Sequence, residues 1–364
     1  MTDIAIFLMD LGGGGAERVM INLAQGFVEH QLSVDLVLVQ PQGPYLSQLP
    51  AGINLIKLNS SRLMLSLPKL VQYLQRKQPK ILLSALEDTN FIALLARKIA
   101  GVSTKVGVTV HNNLSRESQN ATQLKRRLTP TLVRWLYPAA DYIIGVSKGV
   151  SDNLIELGLP AEKIQSIYNP IVTSELLVKL QESVEHPWFA SGQPPVILGV
   201  GRLNPQKDFA TLIRAFAQVR KQQQARLMIL GEGSELAHLQ GLVQDLNLTE
   251  DVAFAGFVNN PYAYMAASTV LVLSSAWEGF GNVLVEAMVA GTPVISTDCE
   301  SGPAEILAQG KYGKLVPVAD SQAMAEAILA TLTKPANPEP LKQRAMEFSL
   351  ENSVNQYLRI LQMD

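Results

Sequence analysis

Short apolar runs alternate along this chain with longer stretches in which apolar side chains recur every three to four positions. Residues 4–9, 32–39, 80–85, 105–110, 141–146 and 163–168 are short, largely β-branched and apolar runs, so they read as buried strands. The stretches between them read as amphipathic helices; in the first, Val19, Leu23 and Phe27 fall on one face at i, i+4 and i+8. Such alternation predicts βαβ units around a parallel sheet. The rhythm breaks over residues 169–195, where Asn169-Pro170, His186-Pro187 and Pro194-Pro195 favour extended connections and predict an interdomain linker. It restarts with 196–201, 226–230, 251–255, 270–273, 294–296 and 314–316. The expected fold class is therefore α/β, with two Rossmann-like domains at 1–170 and 171–348. Residues 349–364 follow as a helix with Leu350, Val354, Tyr357, Leu358 and Leu361 in one stripe.

Bulk properties narrow the function classes. A length of 364 residues suits two domains, and 47% hydrophobic with 17% charged residues suits an ordinary packed core. A formal net charge of −2 argues against a general nucleic-acid binder. Cys299 is the single cysteine, which excludes an internal disulfide and fits a reducing, cytoplasmic setting. The N-terminal segment lacks a basic region and cleavage site, and no apolar run reaches the roughly 20 residues of a spanning helix. Membrane contact, if any, is expected to be peripheral.

In open parallel sheets ligands bind where loops leave the carboxyl ends of strands, and three loops there are unusual. Gly12-Gly13-Gly14-Gly15 follows the first strand and opens a helix, where close backbone approach and N–H groups suit a phosphate; a plain flexible turn is the other reading. Arg202 and Lys207 follow the strand at 196–201 and could neutralise a departing diphosphate, or could be solvated surface charges. The loop from Glu278 to Glu286 carries most weight: two carboxylates flank the start of a helix, and glycines beside Phe280 favour close ligand approach. Its alternative is a carboxylate that merely complements the helix dipole. His111 ends a strand of the first domain, with structural and catalytic readings equally open. No Asp-x-Asp and no metal-ligand spacing is visible, so neither metal nor other cofactor is expected.

These residues resemble the family 4 retaining glycosyltransferases, which have the GT-B fold of two facing Rossmann-like domains with a C-terminal helix crossing back to the first. The matching elements, in order, are Gly14–Glu17, Gly201-Arg202-Leu203 with Lys207, Gly231-Glu232-Gly233, and Glu278 eight residues before Glu286. The resemblance implies that Arg202 and Lys207 hold the donor diphosphate, with Gly14 and Gly15 approaching it from the first domain. It implies Glu278 and the Phe280, Gly281 and Asn282 backbone on the transferred sugar, continuing through Val283 and Leu284. It implies Glu286 on the ribose, Val258 beside the base, and His111 on the sugar, steadying its developing positive charge. Residues 257–262 and 298–307 further resemble bacterial members that extend lipid-linked oligosaccharides or surface glycans.

The expected activity is transfer of a hexose or N-acetylhexosamine from a nucleotide diphosphate sugar, with UDP the default, to a glycan or polyprenyl-diphosphate-linked sugar. The stretch from Gln123 to Tyr137 carries Lys125, Arg126, Arg127, Arg134, Trp135 and Tyr137, and reads either as a face for anionic lipid or as a solvated cationic helix. A nucleotide-sugar epimerase, a pyridoxal-dependent phosphorylase and a non-catalytic nucleotide-sugar sensor are the alternatives on this fold.

Overall fold

A computed structural model describes residues 2–334 and 337–363 of the chain. The chain divides into two compact units, Met1–Ile171 together with Leu350–Asp364, and Val172–Ser349.

In unit 1 the strands are β1 (Ile4–Leu8), β2 (Val34–Leu38), β3 (Ile53–Lys57), β4 (Ile81–Ala85), β5 (Lys105–Val110), β6 (Tyr142–Gly145) and β7 (Ile164–Ser166). They pair in parallel in the order β3-β2-β1-β4-β5-β6-β7. Every residue of β1, β2 and β4 is buried, which is why these strands are mostly apolar rather than alternating; the two polar exceptions, Asp35 in β2 and Ser84 in β4, are hydrogen-bonded. Strand β3 escapes the sequence pattern: it lies at the sheet edge, is only half-buried, and interleaves Asn54 and Lys57 with its apolar residues. The tail forms the helix Leu350–Leu361 and packs on the first helix, Gly15–Glu29. Phe27 and Tyr357 meet edge to face at 6.2 Å. Ser353 Oγ donates to the Tyr168 carbonyl at 2.8 Å.

In unit 2 the strands are β8 (Val196–Val200), β9 (Arg226–Leu230), β10 (Val252–Gly256), β11 (Val270–Leu273), β12 (Val294–Thr297) and β13 (Lys314–Val316). Their parallel order is β10-β9-β8-β11-β12-β13. The core beneath is built from Leu212, Phe216 and Val219 of the helix Phe209–Arg220, with Met324 and Ile328 of the helix Ser321–Thr333. The proline-rich stretch expected as a linker is largely built into this unit. It carries the helix Ser174–Lys179, and Asn260 Nδ2 donates to the Lys179 carbonyl and to Glu182 Oε2.

Each sheet reverses strand order once, between β1 and β4 in unit 1 and between β8 and β11 in unit 2. Adjacent crossovers leave to opposite sides at such a point and open a crevice at the carboxyl ends.

Candidate active site

In unit 2 the loops after β8 and β11 flank that crevice, and they are clamped together. Ala276 N–H donates to the Gln206 carbonyl at 2.8 Å, Gln206 Nε2 donates to the Trp277 carbonyl at 3.0 Å, and Ser274 Oγ donates to the Lys207 carbonyl at 2.7 Å. The clamp places Lys207 against Glu278: Nζ donates to Oε1, and both side chains are largely buried, 19% and 7% exposed. Ser275 Oγ donates to the same Oε1 at 2.6 Å. A buried ion pair costs desolvation that geometry must offset; here an added hydrogen bond does so. Both bonds fall on Oε1, which leaves Oε2 with capacity for a further donor such as a sugar hydroxyl. Beside the pair, burial first and the Glu278 charge second push the Cys299 thiol up to about 12. Trp277 Nε1, in the same loop, is a buried donor with no partner among the described residues.

Backbone packing explains the glycines. The loops after β8 and β9 stack so closely that a Cβ on Gly231 would lie 2.0 Å from the Gly201 carbonyl oxygen, and one on Gly233 2.1 Å from that of Leu203. Leu203 N–H donates to the Glu232 carbonyl across the same contact at 2.8 Å. The helix Asn282–Ala290 starts after Gly281, whose φ of 97° suits glycine. Gly302 holds φ 96°, and a Cβ there would lie 2.0 Å from the Phe280 carbonyl oxygen.

The expected site residues distribute as follows. Arg202 is exposed and Lys207 half-buried after β8; Glu278 and Gly281 are buried after β11; Glu286 is half-buried in the second turn of Asn282–Ala290, which Asn282 and Val283 open. Phe280 and Leu284 are 2% and 0% exposed, and the Phe280 ring packs on Phe348 at 5.4 Å, so only the backbone at these two positions can meet a ligand. Val258 is half-buried just beyond β10. Gly14, Gly15 and His111 belong to unit 1. There Tyr45 Oη donates to the Gly13 carbonyl at 3.1 Å and braces the glycine loop, while Gly15 is exposed at the helix start.

His111 is half-buried, and burial lowers its imidazole to about 4, so the ring is neutral at physiological pH. Its Nε2 lies 2.9 Å from Thr109 Oγ1, whose hydroxyl donates to the Ser84 carbonyl at 2.9 Å. A hydroxyl has one proton, so that network assigns the proton to Nε2 and the lone pair to Nδ1.

Two details of the basic stretch differ from the sequence reading. Tyr137 is fully buried and its hydroxyl oxygen accepts from Asn90 Nδ2, and Arg126, though partly exposed, leans toward Glu87 and Glu117. Sequence reading also passed over Ser275, Trp277 and Glu87, because a serine, a tryptophan and an acidic helix start carry no motif of their own.

Comparison with known proteins decides the family. Residues 13–175 match the family described as Glycosyltransferase Family 4, and residues 182–348 match Glycosyl transferases group 1. Over 349 residues the chain is 32% identical to the N-acetylgalactosamine-N,N'-diacetylbacillosaminyl-diphospho-undecaprenol 4-alpha-N-acetylgalactosaminyltransferase of Campylobacter jejuni, spanning 91% of this chain and 90% of that protein. The chain belongs to the family 4 glycosyltransferases. This glycosyltransferase shares the GT-B fold with HepE of Anabaena, solved in complex with UDP, at a TM-score of 0.78 and 22% identity over 99% of this chain and 100% of that one. The lipopolysaccharide outer core galactosyltransferase WaaB superposes with a TM-score of 0.73 at 23% identity, covering 99% of both chains.

Proposed function

We propose that this glycosyltransferase moves a hexose or N-acetylhexosamine from a UDP-sugar to a glycan or polyprenyl-diphosphate-linked sugar, with retention at the anomeric carbon. The observation that carries the reading is the buried Lys207–Glu278 pair at the strand-order reversal of unit 2, fixed by Ser275. Glycosyl transfer passes through an oxocarbenium-like state and must stabilise a leaving diphosphate. Arg202, Lys207 and a helix N-terminus supply positive charge for it, and the reading invokes no metal or other cofactor. Glu278, held on Oε1, orients the donor sugar through Oε2; Glu286 takes the ribose and Val258 lies beside the base. Neutral His111 presents Nδ1 to the sugar without opposing the positive charge that develops at its ring.

The Campylobacter relative's name specifies a diphospho-undecaprenol acceptor and transfer of N-acetylgalactosamine, and HepE binds UDP. Both support the donor and acceptor classes. Retention rests on the family resemblance, and attack on the donor face vacated by the diphosphate accomplishes it without a covalent enzyme intermediate. Unit 1 takes the acceptor in this reading, and the enzyme works in the cytoplasm, peripherally on a membrane through the helix Leu124–Leu136.

The deciding experiment incubates the protein with a panel of nucleotide sugars and measures slow nucleotide diphosphate release beside Glu278→Ala. Release from one donor, reduced at least about 100-fold in the variant, is expected for loss of a group acting at the reacting sugar. A glycosyl adduct trapped on Glu278 contradicts the proposed retention route. Donor binding without turnover on any acceptor points to a sensor.

A further inference from the structure

Glu87 is the first residue of the helix Glu87–Ala100, directly after β4, on the other side of the unit 1 reversal from the glycine loop that follows β1. It is 4% exposed, and its Oε1 has no hydrogen-bond partner among the described residues. Buried polar atoms are normally paired, and an orphan at a helix start on a crevice asks for a ligand. The backbone before it is strained as well: Leu86 holds φ 73°, the left-handed region that a γ-branched side chain seldom adopts. Such strain persists where a function requires the position.

The charged surroundings do not account for the orphan. Arg126 Nη1 lies 3.7 Å from Glu87 Oε2 and 3.6 Å from Glu117 Oε1, both beyond hydrogen-bond length, and the arginine side chain is 40% exposed. Glu117 Oε2 is engaged by Asn112 Nδ2 at 3.0 Å, and Asp88 by Lys125 Nζ at 2.7 Å. Asn90 Nδ2 donates to the Tyr137 hydroxyl oxygen at 2.8 Å, and the Tyr137 hydroxyl does not reach Glu87 Oε1. Burial, with Glu117 second, raises the Glu87 carboxyl to about 7. Neither protonation state satisfies Oε1, and the cation nearest the carboxyl is loosely held.

We propose that Glu87 binds the acceptor, taking one of its sugar hydroxyls on Oε1 at the carboxyl end of β4. A carboxyl oxygen with an unused lone pair selects an O–H or N–H donor, and a glycan offers hydroxyls in number. The weakly held Arg126 side chain moves aside for it. This inference rests on the reading of unit 1 as the acceptor domain.

The test uses Glu87→Gln and Glu87→Leu in the full chain, with a farnesyl-diphosphate-linked N-acetylhexosamine disaccharide as acceptor. The expected result is an acceptor KM raised roughly 10-fold or more in Glu87→Leu, which removes the accepting oxygen, and a smaller rise in Glu87→Gln, whose amide oxygen still accepts. Donor KM and acceptor-free nucleotide release stay within about twofold, since no unit 2 contact changes. The free Leu variant melts at or above the wild-type temperature, because an unsatisfied buried acid has been removed. An unchanged acceptor KM in both variants overturns the proposal and assigns Oε1 to a buried water. So does a fall of melting temperature and every activity together, which marks a structural role. Wild-type protein that releases nucleotide yet never binds this acceptor defeats the acceptor reading itself, and the inference with it.

Discussion

At the residue scale the loops at the carboxyl ends of β11 and β12 are held by contacts with no room to give. A Cβ at Gly302 would meet the Phe280 carbonyl oxygen at 2.0 Å with φ at 96°, whereas Gly101, at φ 63°, has nothing within 4 Å. Gly101→Ala therefore costs about 1 kcal/mol, the left-handed penalty alone, and Gly302→Ala at least about 2 kcal/mol more, read by chemical denaturation. Gly302→Ala also weakens donor binding, because the shift propagates to the Phe280 backbone. Two titratable groups shifted by burial give the pH dependence opposite signs. His111 in the folded state lies at about 4, below its ordinary 6.5, so the stability it contributes is present above 6.5 and lost as pH falls toward 4. Glu87 is raised from 4.5 to about 7, so its contribution is present below 4.5 and lost as pH rises through 7. Melting curves of His111→Asn should lose part of the acid limb. Those of Glu87→Gln should gain on wild type between pH 4.5 and 7.

At the scale of elements the helix Leu124–Leu136 is the unusual piece. Thr129 and Val133 face inward, yet Leu124, Leu128, Leu132, Trp135 and Leu136 are 40–79% exposed and recur at i, i+4, i+8, i+11 and i+12. The helix has an outward apolar stripe flanked by Arg127 and Arg134, the composition of a surface that lies in a lipid interface. The neighbouring helix Glu87–Ala100 adds exposed Leu95 and Ile99. Sequence reading found the basic residues of this stretch, but which of them point outward was a question of packing. Arg126 leans toward Glu87 and Glu117 at 3.7 and 3.6 Å while its side chain stays 40% exposed. Vesicles containing about 30% anionic phospholipid are expected to sediment with the wild-type protein, as an amphipathic helix with flanking cations should allow. Leu128→Glu with Leu132→Glu should abolish that. Arg127→Gln with Arg134→Gln should weaken it mainly at low salt. Among the described residues no helix is long and apolar enough to cross a membrane. Unchanged sedimentation of the leucine double variant would end the membrane reading.

At the scale of the whole molecule, the last helix ties the end of the chain to its beginning. Gly26 is packed against it so closely that a Cβ would lie 2.4 Å from Val354 Cγ2 and 3.0 Å from Leu350 Cδ1. Asn22 Nδ2 donates to the Pro170 carbonyl at 2.8 Å in the same region. Unit 1 is therefore completed by residues 350–363, although almost 180 residues of unit 2 intervene in sequence. Gly26→Leu should displace the helix and lower amide protection in residues 15–29 by hydrogen exchange. Protection of β8, β9 and β11 should stay unchanged. Equal loss in both sheets would show that the helix stabilises more than unit 1.

Much of the architecture was legible in the pattern of residues. Largely apolar strands read as buried on both faces, so the parallel sheets, the restart of the rhythm and the apolar stripe of the tail follow from local chemistry. The loops that leave the strands could be picked out too, because glycine and paired charges are unusual there. An edge strand such as Ile53–Lys57 could not, since one exposed face dilutes its pattern. What tertiary structure alone decided is pairing at a distance: Lys207 with Glu278 is a contact across 71 positions, made when β8 and β11 become neighbours and Ser275 locks the carboxylate. The same holds for the orphaned oxygen of Glu87, the neutral ring of His111 and the approach of Arg126 to Glu87 and Glu117. Burial and partnership are properties of the folded neighbourhood, and a residue's identity states only what it could accept or donate once there.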